Sequence, residues 1–167
     1  VSEKLPAIIL LSGSDGGIPG TNAIPKNFID ELVSKGFIVL ALAYFGLDDL
    51  PSSLEHIDLN YFESAIQWLQ LHSDVKKEAI VIMGQSRGGE LALILGPLFK
   101  QLSAIVAYAP SNMITGGFPY PNQPAWKYKN RSLTPYLGAL SGNDPKLTEL
   151  DDLNQSIHKK LIPIHAN

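Results

Sequence analysis

A three-layer α/β fold with a mostly parallel sheet is the architecture this sequence predicts, and three observations predict it. Short apolar runs alternate with segments of helical periodicity. Gly and Pro punctuate the joins. One run, Ile80 to Met83, passes without a loop into Gly84-Gln85-Ser86-Arg87-Gly88 and then into a helix. Strands and helices alternating over short connections close into a parallel sheet with helices on both faces, because each parallel pair needs a crossover long enough to hold a helix.

Taken in order, Pro6 to Leu11 is the first strand, and it ends in Ser12-Gly13-Ser14-Asp15-Gly16-Gly17, a loop of small residues. Ile24, Phe28, Leu32 and Val33 then recur on one helical face, with Lys35-Gly36 as the stop. Phe37 to Ala43 is the second strand. Beyond the loop Tyr44 to Glu55, a second helix carries Leu59, Phe62, Ala65, Ile66 and Leu69 on its apolar side. Ala79 to Met83 has the length and unbroken apolarity of a strand buried on both faces. Leu91, Leu93, Ile94, Leu95 and Leu98 make the helix after it, ended by Gly96-Pro97 or the turn just beyond. Ser103 to Ala107 is a fourth strand. With right-handed crossovers, Ser86 and the Ser12 to Gly17 loop fall on one edge of the sheet, at the carboxyl ends of the strands where open α/β sheets bind ligands.

Tyr108 to Leu150 breaks this rhythm with Pro110, Pro119, Pro121, Pro124, Pro135 and Pro145 among Phe118, Tyr120, Trp126, Tyr128 and Tyr136. Trp126-Lys127-Tyr128 and Ser132-Leu133-Thr134 read as a hairpin around Asn130-Arg131. Residues 109–150 are therefore expected to be a lid-like or hairpin excursion, either a pocket wall or a plain surface detour, inside a single domain spanning residues 1–167. The closing run Leu161 to Asn167 looks like the approach to another strand, so the expected domain is partial, truncated at one or both ends.

Composition narrows the function. The 167 residues are 45% hydrophobic and 17% charged, enough apolar material for a sizeable core. A formal net charge of −3 offers no basic patch for a phosphate backbone, so nucleic acid is not expected as a partner. No apolar run approaches the roughly 20 residues that span a bilayer. Without cysteine there is no disulfide framework or thiolate site, and the four histidines lack ligand spacing, so neither metal nor cofactor is expected. Val1-Ser2-Glu3-Lys4 has no signal-peptide pattern, and the expected compartment is cytoplasmic.

Gly84-Gln85-Ser86-Arg87-Gly88 has the G-x-S-x-G spacing of a nucleophile elbow, in which a serine on a sharp strand-to-helix turn leaves no room for Cβ atoms on its flanks. A serine hydroxyl attacks an acyl carbon only with a base to take its proton and an acid to orient that base. The developing oxyanion needs two donors. One is the Arg87 backbone N–H, and the second comes from the small-residue loop, at Ser14 or Asp15. His56 and His72 precede Ser86 and flank a helix, which fits surface positions. Asp144 and His165 follow Ser86 in the right order for a triad, but Asn143-Asp144-Pro145 reads equally as a turn opening a helix with Leu147, Leu150 and Leu153 on its apolar side. The acid and base come either from Asp144 and His165 or from beyond Asn167.

Several motifs stand in fixed order: Ala41-Leu42-Ala43-Tyr44, Asp49-Leu50-Pro51, Tyr61-Phe62, Val75-Lys76, and Gly84-Gln85-Ser86-Arg87-Gly88-Gly89-Glu90-Leu91-Ala92-Leu93. Together they resemble the C-terminal domain of the acyl-CoA thioesterase and bile acid-CoA:amino acid N-acyltransferase family, continuously from about Pro6 to Leu95 and more thinly after Tyr108. The resemblance implies an α/β hydrolase core whose serine nucleophile, Ser86, forms an acyl-enzyme from a small-molecule acyl thioester, with water or an amine as acceptor and no cofactor. Arg87 stands where the family often has Lys, and Glu90 fits the family pattern, at a place where first-turn stabilisation of the helix dipole would also explain it. The family's Asp and His follow two further strands, so this stretch alone is expected to turn over weakly or not at all. Two other readings stay open: a carboxylesterase of the dienelactone-hydrolase type acting on oxygen esters, and a non-catalytic hydrolase-fold binding module.

Overall fold

The computed structural model describes residues 3–15 and 24–133. In chain order its elements are β1 (Leu5–Leu11), α1 (Lys26–Ser34), β2 (Ile38–Ala41), β3 (Ile57–Asp58), α2 (Asn60–Leu71), β4 (Val75–Gln85), α3 (Arg87–Leu98), β5 (Leu102–Tyr108), β6 (Trp126–Tyr128) and β7 (Arg131–Ser132). The main sheet runs β2-β1-β4-β5 with every neighbouring pair parallel. The first crossover, β1 to β2, steps one way across this sheet and the next two step the other way. Right-handed connections then place α1 on the face opposite to α2 and α3. Packing agrees: Ile9, Ile80 and Ile82 share one buried cluster with Phe62, Ile66 and Leu69 of α2 and Leu91, Ile94 and Leu95 of α3, while no α1 residue joins it.

Two sequence expectations shift in detail, and of the two expected stops for α3 the later one holds. β4 is fully buried on one face only, through Ile80, Ile82 and Gly84, whereas Val81 and Met83 are half-buried. Among the described residues, the helix on that side lies along β2 instead of over β4. Ile24 is buried yet precedes α1, because Pro25 takes an extended conformation (φ −69°, ψ 151°) at the N-cap, and Val33 points to solvent, so Phe28 and Leu32 carry the inward side. α3 continues through Gly96-Pro97 to Leu98, since a proline in the last turn removes only one helical hydrogen bond.

The segment after β5 builds a second, three-stranded sheet, β3-β6-β7. β6 pairs parallel to β3, Ile57 opposite Trp126, and antiparallel to β7, Tyr128 opposite Arg131. The hairpin turn falls on Lys129 (φ 50°) and Asn130 (φ 62°), one residue before the expected place, and two left-handed central residues are what a two-residue hairpin turn demands. Ile114, Ala125 and Trp126 belong to the same core as the main sheet, as do Tyr44, Phe45 and Leu54 from the loop after β2. Residues 134–150 of the expected excursion lie outside the described residues. Among the described residues, no helix is long and apolar enough to cross a membrane.

Candidate active site

β1 and β4 are neighbours whose following helices leave to opposite faces, which makes their carboxyl ends the switch point of the sheet, where open α/β sheets bind ligands. Leu11 of β1 sits opposite Gly84 of β4, which sets Ser12-Gly13 beside Gln85-Ser86. Ser86 is exposed and takes φ 52°, ψ −115°, a backbone conformation that L-residues rarely adopt. It is held there by two backbone bonds: its N–H donates to the Tyr108 carbonyl (2.9 Å), and its own carbonyl accepts from the Glu90 N–H (3.0 Å). The flanking glycines are required sterically. A Cβ on Gly84 would collide with the Gly88 carbonyl oxygen, and one on Gly88 with the Ser12 carbonyl oxygen.

The loop after β1 stands directly against the serine. A Cβ placed on Gly13 would lie 3.3 Å from the Ser86 Cβ and 3.7 Å from its Oγ. Ser14 and Asp15 follow as exposed turn residues, and Arg87, next to Ser86, begins α3. Tyr44 fixes this loop from beneath: its hydroxyl, inside the core, donates to the carbonyls of Ser12 (2.8 Å) and Gly13 (3.2 Å). Burial pushes the Tyr44 phenol well above the ordinary tyrosine range, with nearby Arg87 opposing and Asp15 and Glu90 adding to the shift, so it stays a neutral donor. Tyr61 donates to the Ala43 carbonyl (2.8 Å), at the residue before Tyr44 and not in the loop itself.

On the other side of the elbow lies a polar cluster that sequence reasoning did not assemble. Glu90, 2% exposed, accepts hydrogen bonds from Arg87, Thr115 and Trp126. The Arg87 guanidinium also donates to the Gly116 carbonyl (2.6 Å) and lies 5.6 Å over the Trp126 ring. Dipole stabilisation therefore does not exhaust what Glu90 does, because its carboxylate turns inward to defined donors. Tyr44, Thr115 and Trp126 were missed as site residues. Tyr44 alone left a sequence signal, an aromatic residue just past a strand end on the same sheet edge as Ser86.

His56 and His72 are exposed, as expected; His72 packs against Trp68. Asp144 and His165 lie outside the described residues. Among the described residues, no group of three His, Asp or Glu side chains is placed to hold a metal. A cleft of about 440 Å³ lined by Glu55 and by Tyr120 to Gln123 includes none of the elbow residues.

The family model described as BAAT / Acyl-CoA thioester hydrolase C terminal matches residues 57–160, which take in the elbow and every element from β3 to β7. The chain belongs to this family. Among relatives of the BAAT / acyl-CoA thioester hydrolase family, mouse "Acyl-coenzyme A thioesterase 2, mitochondrial" is 34% identical over 159 residues, covering 94% of this chain and 32% of that protein. Rat "Acyl-coenzyme A amino acid N-acyltransferase 2" is 37% identical over 130 residues, covering 78% of this chain and 28% of that protein. The chain spans about a third of the length of the curated relatives it matches. Among solved structures, the α/β hydrolase GrgF from Penicillium sp. sh18 superposes with a TM-score of 0.56 at 21% identity, over 70% of this chain and 40% of that one. That likeness fixes the α/β hydrolase fold for this family member and extends no further.

Proposed function

We propose that this chain carries the nucleophile and oxyanion-binding half of an enzyme that cleaves acyl-CoA thioesters. In this reading the Ser86 Oγ attacks the thioester carbonyl while its proton passes to a base, the C–S bond breaks, and the CoA sulfur leaves with a proton. Water then attacks the Ser86 acyl ester and releases the acid. The tetrahedral oxyanion is held by the Arg87 N–H together with an N–H from the turn at Ser14 or Asp15. The observation that carries the reading is an exposed serine at a left-handed φ with Gly13 so near that a Cβ there would lie 3.3 Å from the Ser86 Cβ and 3.7 Å from its Oγ. Two stretches far apart in sequence meet there at the switch point of the sheet, and thioesterases and an N-acyltransferase among the relatives supply the substrate class.

The base is assigned to a histidine following Ser86 in the chain. Both such histidines within residues 1–167, His158 and His165, lie outside the described residues. The reading is tested by treating the full-length protein with a fluorophosphonate probe, mapping the adduct, and assaying acyl-CoA beside p-nitrophenyl esters, with and without glycine or taurine as acceptor. An adduct on Ser86 with preference for acyl-CoA is expected. A p-nitrophenyl ester preference would indicate a carboxylesterase, amide product an acyltransferase, and an unlabelled Ser86 a non-catalytic module.

A further inference from the structure

Glu90 is a buried carboxylate that the proposed acyl-transfer steps do not use. It sits one turn into α3 with no lone-pair direction left idle. Oε1 accepts from the Thr115 N–H (3.1 Å) and the Trp126 indole N–H (2.9 Å), and Oε2 accepts from the Thr115 hydroxyl (2.6 Å) and Arg87 Nη1 (2.8 Å). An exposed Glu would serve the helix dipole equally well without the desolvation that burial exacts, so the inward placement calls for another role. The donors come from three separate places: the elbow helix, the loop after β5, and β6. Arg87 completes the knot from the other end by bonding Gly116 and covering Trp126.

What this knot holds in place is the segment next to the nucleophile. That segment leaves β5 at Tyr108, whose carbonyl accepts the Ser86 N–H, and passes Pro110, whose Cβ lies 3.3 Å from where a Cβ on Gly89 would be. Along it Tyr108, Met113, Phe118 and Tyr120 present large apolar or aromatic side chains to solvent. Glu90 and Arg87 neutralise each other within it, as a surface meant for an alkyl chain requires.

We propose that Glu90 is a positioning residue of the Ser86 site: it locks the Thr115 to Trp126 segment against the elbow as the wall that receives the acyl chain. The Arg87 side chain is committed to that wall, and only its amide faces the reaction. This inference rests on the reading of Ser86 as nucleophile.

Alkyl fluorophosphonates with two-carbon and sixteen-carbon chains test it on the full-length protein, read as second-order rate constants for labelling Ser86. The wild type is expected to react faster with the long chain. Glu90→Gln is expected to lower the long-to-short rate ratio at least tenfold while the short-chain rate stays within threefold. Thr115→Val, which keeps the ion pair and removes one donor, is expected to shift the ratio the same way by about threefold, and it serves if Glu90→Gln does not fold. Equal slowing with both probes, or no chain-length preference in the wild type, overturns the wall and leaves the nucleophile reading standing. A wild-type protein whose Ser86 reacts with neither probe overturns both.

Discussion

Replacing Tyr44 by Phe removes one hydroxyl and almost no volume, so the ring keeps its neighbours Phe45, Phe62 and Trp126 while the carbonyls of Ser12 and Gly13 lose a donor. One bond at 2.8 Å with a longer branch at 3.2 Å, in a residue 1% exposed, corresponds to about 1–2 kcal/mol once the desolvated acceptor is counted. For a domain of this size that lowers Tm by about 2–8 °C. Tyr61→Phe is the control: it deletes a bond of the same length, to Ala43, without touching the loop beside Ser86. Deleting an oxyanion donor outright costs about 10²–10³ in kcat, and loosening the loop that aims one is expected to cost about tenfold. Thermal melts and steady-state thioesterase assays, normalised to fluorophosphonate-titrated Ser86, give both numbers. If Tyr44→Phe and Tyr61→Phe lower Tm but leave kcat per labelled site alike, the loop is not held by Tyr44 and the reasoning fails.

Other predictions follow from the same geometry. Gly84→Ala and Gly88→Ala each drive a Cβ into backbone, so each is expected to cost about 3 kcal/mol or more and to abolish Ser86 labelling. Gly96→Ala meets only the Ile105 side chain, and Ile105→Val is expected to restore most of its loss in a chemical denaturation series. Burial raises the Tyr44 and Tyr61 phenols above the ordinary 10.0, so the folded chain holds those protons more tightly than the unfolded one. Their contribution to stability is complete below pH 10.0 and is lost as pH climbs beyond it. Urea melts between pH 9 and 11 should therefore show a falling stability whose slope Tyr44→Phe flattens. His165→Ala and Asp144→Asn are expected to lower kcat by about 10³–10⁴ if they form the triad with Ser86, while unchanged turnover assigns acid and base elsewhere in the protein.

Much of this arrangement was legible before any coordinates. The strand-helix alternation gave the parallel sheet, and the handedness of its crossovers gave the edge on which Ser86 and the Ser12 to Asp15 turn meet, because both follow from local periodicity and chain chirality. Glu90 was visible as a family position, but its partners were not. Thr115 and Trp126 lie 25 and 36 residues away, in a proline-rich stretch without periodicity, so nothing local announces that they converge. The core contributed by Phe45 and Leu54 escaped notice for the same reason: irregular backbone carries no repeat from which to read burial. The two faces of β4 differ because covering depends on where α1 comes to rest, a tertiary outcome that an apolar run cannot encode.

The conformation of Ser86 has an uncomfortable corollary. At φ 52°, ψ −115° a side chain is a liability, and glycine would rest there without strain. Ser86→Gly is therefore expected to raise the stability of the chain by about 1–2 kcal/mol, whereas Ser86→Ala keeps the strained Cβ and gains nothing comparable. A molecule that melts higher after losing its hydroxyl would show that this position is occupied against the preference of its own backbone, and that robustness was given up there for reactivity.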